Sequence, residues 1–130
     1  MSDEKSLEEL IPEAPKAAEV ETPEPATPEE IAAAEKLLQE ASLAKIRGLT
    51  DVARRLLDQA KDEAPGSAAV QSAFGDDLFE RGQYTKARQA YLIAHKLEPE
   101  NAHYETKYAE SILGAEADLD VIFNRGNIED

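Results

Sequence analysis

From Ile31 onward the chain repeats its apolar residues at Ile31, Ala34, Leu37, Leu38, Ala41 and Ala44. Steps of three and four put these side chains on one stripe of an α-helix. The start of that helix is written just before it. In "TPEE", Thr27 stands at the N-cap and Pro28 at the first helical position, where its missing N–H is not needed. Glu30 stands where a capping box requires it. Gly48 predicts the end, because glycine accepts the left-handed cap conformation.

The same signals predict four further helices. The second runs from about Asp51 to Glu63, with Val52, Leu56, Leu57 and Ala60 inward, and Pro65-Gly66 ends it. The third, about Ala68 to Arg81, is capped by Ser67 and closed by Gly82. The fourth runs from about Thr85 to Leu97 and stops before Pro99. The fifth, about Ala102 to Leu113, is capped by Asn101 and closed by Gly114. A weaker sixth, roughly Glu116 to Asn124, carries Leu119, Val121, Ile122 and Phe123. No stretch alternates with period two, so no strand is predicted and the fold class is all-α.

The residues ahead of Thr27 obey different physics. Residues 1–28 hold Pro12, Pro15, Pro23, Pro25 and Pro28, five of the seven prolines, and eight acids against Lys5 and Lys16. Such a segment buries too little apolar surface to offset its ordering entropy, so residues 1–26 are expected to be a disordered acidic tail. Its one apolar cluster, Leu7, Leu10 and Ile11, is spaced for a single helical turn that Pro12 stops, a minimal docking motif at most. The expected organisation is thus a tail over 1–26, a helical repeat domain over 27–115, and a capping helix with a short tail over 116–130.

The helices repeat in sequence as well as in kind. "RGLTDVARRLLDQAKDEAP" (47–65) returns as "RGQYTKARQAYLIAHKLEP" (81–99), 34 residues later. Two helices per unit at such a period is the mark of an α-solenoid, whose units stack because each leaves an apolar face bare. In residues 68–101, Phe74, Gly75 and Leu78 give a large-small-large first helix, and Ala87, Tyr91, Ala94 and Pro99 complete a second. This unit resembles the tetratricopeptide repeat. The unit before it fits mainly in its second half, at Ala53, Leu57, Ala60 and Pro65, and has Glu40 where a large apolar residue is usual. The unit after it supplies Tyr108, Ala109 and Ile112 and then departs from the pattern. The resemblance covers about residues 29–113, as two complete repeats and a partial third.

Composition narrows the function. There is no cysteine, so thiolate metal sites and disulfides are excluded. His95 and His103 lack a third convergent ligand, so no metal is expected. No nucleophile elbow, phosphate loop or tuned carboxylate pair is present, and the chain reads as a non-enzyme without a cofactor. The net charge of −14 argues against nucleic acid and against anionic membrane surfaces. An acidic start and the lack of a long apolar run suggest a cytoplasmic protein.

The resemblance supplies the remaining expectation. In that family the first helix of each repeat lines a concave groove that receives a partner protein or peptide. The corresponding positions here are Leu38, Ser42 and Lys45; Ala69, Ser72, Asp76 and Phe79; and His103, Thr106 and Glu110. Members that grip a C-terminal carboxylate use Lys and Asn at such places. Ser42, Asp76 and Glu110 do not suit that task, and Lys45 and Lys107 are the only bases nearby. A neutral or basic peptide fits better, with Phe79 as its apolar anchor. The alternative is a self-assembling structural protein that forms a homodimer through Leu119, Ile122 and Phe123 of the terminal helix.

Overall fold

The computed structural model describes residues 20–114. The acidic stretch up to residue 19 and the sixth helix, with its apolar dimer contact, lie outside the described residues. All regular structure within them is α-helical. The elements are α1 (Pro28–Ile46), α2 (Thr50–Glu63), α3 (Ala68–Glu80), α4 (Tyr84–Leu97) and α5 (residues 102–114). Among the described residues no helix is long and apolar enough to cross a membrane.

The punctuation legible in the sequence sets these boundaries. The Thr27 backbone N–H donates to Glu30 Oε1 at 2.9 Å, and the Glu30 N–H donates to Thr27 Oγ1 at 3.2 Å, a complete capping box. Ser67 accepts from the Val70 N–H and Asn101 from the His103 N–H, at 3.3 Å and 2.9 Å, to open α3 and α5. Gly48 and Gly82 sit at φ +79° and +78° after α1 and α3, where a side chain would be strained. Gly114 does not close α5 from outside. It is the last described helical residue, and it faces the ring of Phe79.

α1 packs along α2 and α3 along α4, each pair joined by a tight turn, while α3 also touches α2 and α1. The two pairs bury different material. In the first, Ala34, Ala60 and Ala64 close around Val70, with Leu37 and Leu38 packed at the edge. The large residues expected inward on α2, Val52, Leu56 and Leu57, are only partly buried, and Ala53 is buried in their place. In the second, Leu78, Ala87, Tyr91 and Leu92 form the main core, which Tyr108 and Ile112 of α5 complete. Burial of Leu92 and Ile112 stabilises by about 2–3 kcal/mol each.

Gly75 is the tightest point between α3 and α4. A Cβ built there would lie 2.9 Å from the Tyr91 ring. Hydrogen at this position lets the ring lie flat against the α3 backbone, which offsets the roughly 1 kcal/mol that glycine costs inside a helix.

The domain begins earlier than composition indicates. Residues 20–26, counted with the tail, lie against the helices. The Ala26 N–H donates to the Gly66 carbonyl at 3.1 Å, and Lys96 Nζ donates to the Val20 carbonyl at 3.2 Å. Val20 packs on the α3/α4 core and Ala26 on the α1/α2 core. Pro23 and Pro25 favour an extended backbone, and a side chain at Gly66 would collide with the Glu24 carbonyl oxygen. The net-charge criterion misses this strap because a few backbone bonds and one valine suffice to hold it.

Loss of the strap has a measurable effect. A chain starting at Thr27 is expected to be less stable than one starting at Val20 by about 2 kcal/mol, the sum of one half-buried valine and two hydrogen bonds. That is on the order of a 10 °C fall in Tm. Equal midpoints in thermal unfolding followed by circular dichroism would show that residues 20–26 contribute nothing.

Candidate functional site

Positions 34 residues apart fall on the successive helices α1, α3 and α5, as Ser42, Asp76 and Glu110 do, and likewise Leu38, Ser72 and Thr106. Two hollows open beside these helices. The larger, about 370 Å³, opens between α1, α2 and α3. Leu38, Ala41, Ala53, Leu57 and Ala73 give it an apolar floor, and Ser42, Lys45 and Asp76 stand on its wall. The smaller, about 200 Å³, lies between α3, α4 and α5, with Phe79, Tyr91, Lys107 and Glu110 around it. Asp76 and Glu80 line both, so α3 is the shared wall.

Six of the ten expected groove residues therefore line these hollows: Leu38, Ser42, Lys45, Asp76, Phe79 and Glu110. Ser72 is buried, 6% exposed, and is part of the helix packing. Ala69, His103 and Thr106 are exposed but line neither hollow. The His103 ring stacks edge-on against Tyr104 at 5.4 Å.

The charges of the site are arranged in pairs that tie the helices together. Lys45 Nζ reaches both Glu80 oxygens at 2.7 Å, bridging α1 to α3. Both side chains are more than half exposed, so this bridge stabilises by at most about 1 kcal/mol. Asp77 holds Arg81 Nη2 at 2.9 Å through Oδ2 and Arg54 Nε at 3.6 Å through Oδ1. Asp76 is the junction of three helices. Its Oδ1 accepts the Tyr91 hydroxyl of α4 at 2.5 Å and faces Lys107 Nζ of α5 at 3.2 Å. Its Oδ2 carries no protein donor among the described residues.

Burial pushes the Tyr91 hydroxyl well above its ordinary value of 10.0, and the hydrogen bond to Asp76 and the carboxylates of Asp76, Glu80 and Glu110 push it further. Tyr91 therefore stays a neutral donor to Asp76 at neutral pH. The Lys107 ammonium lies 6.0 Å from the centre of the Tyr91 ring, within reach of its π face.

Sequence reasoning assigned Tyr91 to the helix-packing signature, and its ring does fill the space left by Gly75. Its hydroxyl also reaches the site, which the aromatic spacing alone does not reveal. Glu80, Asp77, Arg54 and Arg81 went unnoticed too. Glu80 and Arg54 pair across elements, with partners 35 and 23 residues away that neighbouring sequence does not signal, while Asp77 also holds Arg81 one turn on.

Phe79 belongs to the packing and also reaches the surface. It is partly buried, packs on the main core, meets the Tyr84 ring edge-on at 4.9 Å, and still faces the smaller hollow.

Compared with known proteins, the chain matches no family model, no curated protein sequence and no solved structure.

Two outcomes follow from this geometry. Phe79→Ala should lower stability by about 2–3 kcal/mol, at the low end of aromatic truncations because the ring is only partly enclosed. Urea unfolding measures it, and a change within error would place Phe79 outside the packing. For Tyr91 the sign is set by its raised pKa: the stability it contributes is complete below pH 10 and is lost as pH rises beyond that. The parent should lose stability steeply above pH 10, and Tyr91→Phe, though about 1 kcal/mol weaker at neutral pH, should show a shallower alkaline slope.

Proposed function

We propose that the chain is a protein-interaction module of tetratricopeptide-like helix pairs that receives an extended peptide along the first-helix face formed by α1, α3 and α5. The observation that carries this reading is the pair of adjoining hollows sharing Asp76 and Glu80. An apolar floor with a few convergent polar groups is the usual make-up of a recognition site. A side chain of aliphatic size suits the floor made by Leu38, Ala41, Leu57 and Ala73.

The charge pairs refine the partner. Lys45 is engaged by Glu80 and Lys107 by Asp76, so neither base is available to grip a carboxylate without breaking a bridge. What the site offers is an acceptor, Asp76 Oδ2, and the exposed carboxylate of Glu110. Both suit N–H donors of a neutral or basic peptide. Asp76 is preorganised by Tyr91 and Lys107, so a bound N–H meets a carboxylate already in place.

Selection of peptides from a displayed random library, followed by titration of the winners, tests the reading. Selected peptides should be aliphatic with neutral or basic flanks. Leu38→Glu, which puts a charge on the apolar floor, should weaken them at least tenfold while leaving helicity unchanged. Peptides that bind equally well to Leu38→Glu and to Asp76→Asn would place recognition elsewhere on the molecule.

A further inference from the structure

α2 and α4 both pack on α3 but barely touch each other, and the gap between them is a second cleft of about 500 Å³. Its chemistry is the reverse of the groove's. Lys61 of α2, Arg81 and Lys86 of α4 line it, and no carboxylate does among the described residues. Arg81 is held by Asp77, but Lys61 and Lys86 form no ion pair among the described residues. Asp58 and Asp62, which flank Lys61 in sequence, neither pair with it nor line the cleft.

The sequence of the α4 wall is itself one-sided. From Arg81 to Leu97 there is no Asp or Glu, while Arg81, Lys86, Arg88 and Lys96 are basic. Over the whole chain acids outnumber bases 28 to 14, so this stretch departs from the rest. The residues that α3 contributes to the lining are Gln71, Phe74 and Leu78, none of which can neutralise a lysine.

The base of the cleft narrows the kind of ligand. Lys61 Nζ sits 4.1 Å from the centre of the Phe74 ring, which positions the ammonium without cancelling its charge. Phe74, Leu78 and Ile93 put apolar surface beside the cations. Gln71, 2% exposed, donates through Nε2 to the Pro65 carbonyl at 2.8 Å, while its Oε1 is buried with no hydrogen-bond partner. An unmet buried acceptor is costly, and a backbone N–H brought into the cleft would satisfy it. A simple anion supplies neither that donor nor an apolar side chain. A nucleic-acid strand would carry a phosphate at every step into the field of a chain of net charge −14. An acidic peptide supplies carboxylate, donor and apolar side chain together.

We propose that the α2/α4 cleft is a second docking site, and that it takes an acidic peptide segment of another protein with apolar residues among its carboxylates. The carboxylates pair with Lys61 and Lys86, and the apolar side chains cover Phe74 and Ile93. The groove of α1, α3 and α5 plays no part in this, so the two readings fail separately.

The test sets the cleft against the charge of the whole chain. At physiological ionic strength the screening length is about 8 Å, so distant acids count for little against cations in contact. Two short peptides are titrated into the isotope-enriched full chain. One carries a Leu-Phe pair flanked by glutamates, the other the same pair flanked by lysines. Amide signals of Lys61, Phe74, Lys86 and Ile93 should shift saturably with the glutamate peptide. It should bind there at least about tenfold more tightly than the lysine peptide, although net charge alone favours the opposite order. The Lys61→Glu, Lys86→Glu double variant should reverse the preference, and where it fails to fold the two peptides on the parent chain still decide. A lysine peptide that binds the cleft equally well, or shifts centred on Ser42 and Asp76, would overturn the proposal. So would equal binding of a glutamate peptide lacking the Leu-Phe pair, which would reduce the cleft to a diffuse cationic patch. Cleft signals that move with the chain's own concentration, without peptide, would put a second copy there instead. The absence of any saturable shift would equally sink it, including the case in which the chain's own acidic residues cover the cleft.

Discussion

The contact between Gly75 and the Tyr91 ring is the constraint on which the rest of the structure depends. With no Cβ in the way, α3 and α4 approach until the ring fills the gap between them. That approach sets where the Tyr91 hydroxyl ends up, and it ends up on Asp76. Asp76 then pairs with Lys107, which adds a polar tie to the packing of Tyr108 and Ile112 that holds α5. Packing and polar chemistry are often treated separately. Here one side chain supplies dispersion contact on its face and a charge-assisted hydrogen bond at its tip. Alanine substituted at Gly75 would favour the helix locally and still disturb both functions of the ring, because a Cβ there lies within van der Waals radii of it.

Much of the fold was legible because it is encoded by short-range devices. The capping box at Thr27 and Glu30, the Ser67 and Asn101 caps, and the positive-φ glycines at 48 and 82 each act within a few residues. Periodicity located all five described helices for the same reason. What stayed hidden was set by tertiary contact. The strap over residues 20–26 reads as tail by composition, yet Gly66 and Lys96 give it two hydrogen-bonding partners. Of the residues the repeat resemblance puts in the groove, Leu38, Ser42, Lys45, Asp76, Phe79 and Glu110 line two hollows that share Asp76 and Glu80. The resemblance also puts Ser72 there, which is buried. Register specifies which row a residue occupies, but the lean of one helix on another decides whether that row meets solvent.

The site's electrostatics show why net charge is a poor guide to local recognition. Carboxylates outnumber bases two to one along the chain, 28 to 14. In the groove, however, Lys45, Arg54, Arg81 and Lys107 are each matched to an acid on α3. The matching is costly to undo for the partly enclosed pairs.

The α2/α4 cleft is the counterpart of that arrangement. Because α3 presents its acids, Asp76, Asp77 and Glu80, on the groove side, its other side shows Gln71, Phe74 and Leu78, and the bases of α2 and α4 there have no acid on α3 to pair with. One helix with two chemically different faces thus divides the molecule into a charge-matched groove and an unmatched cationic cleft.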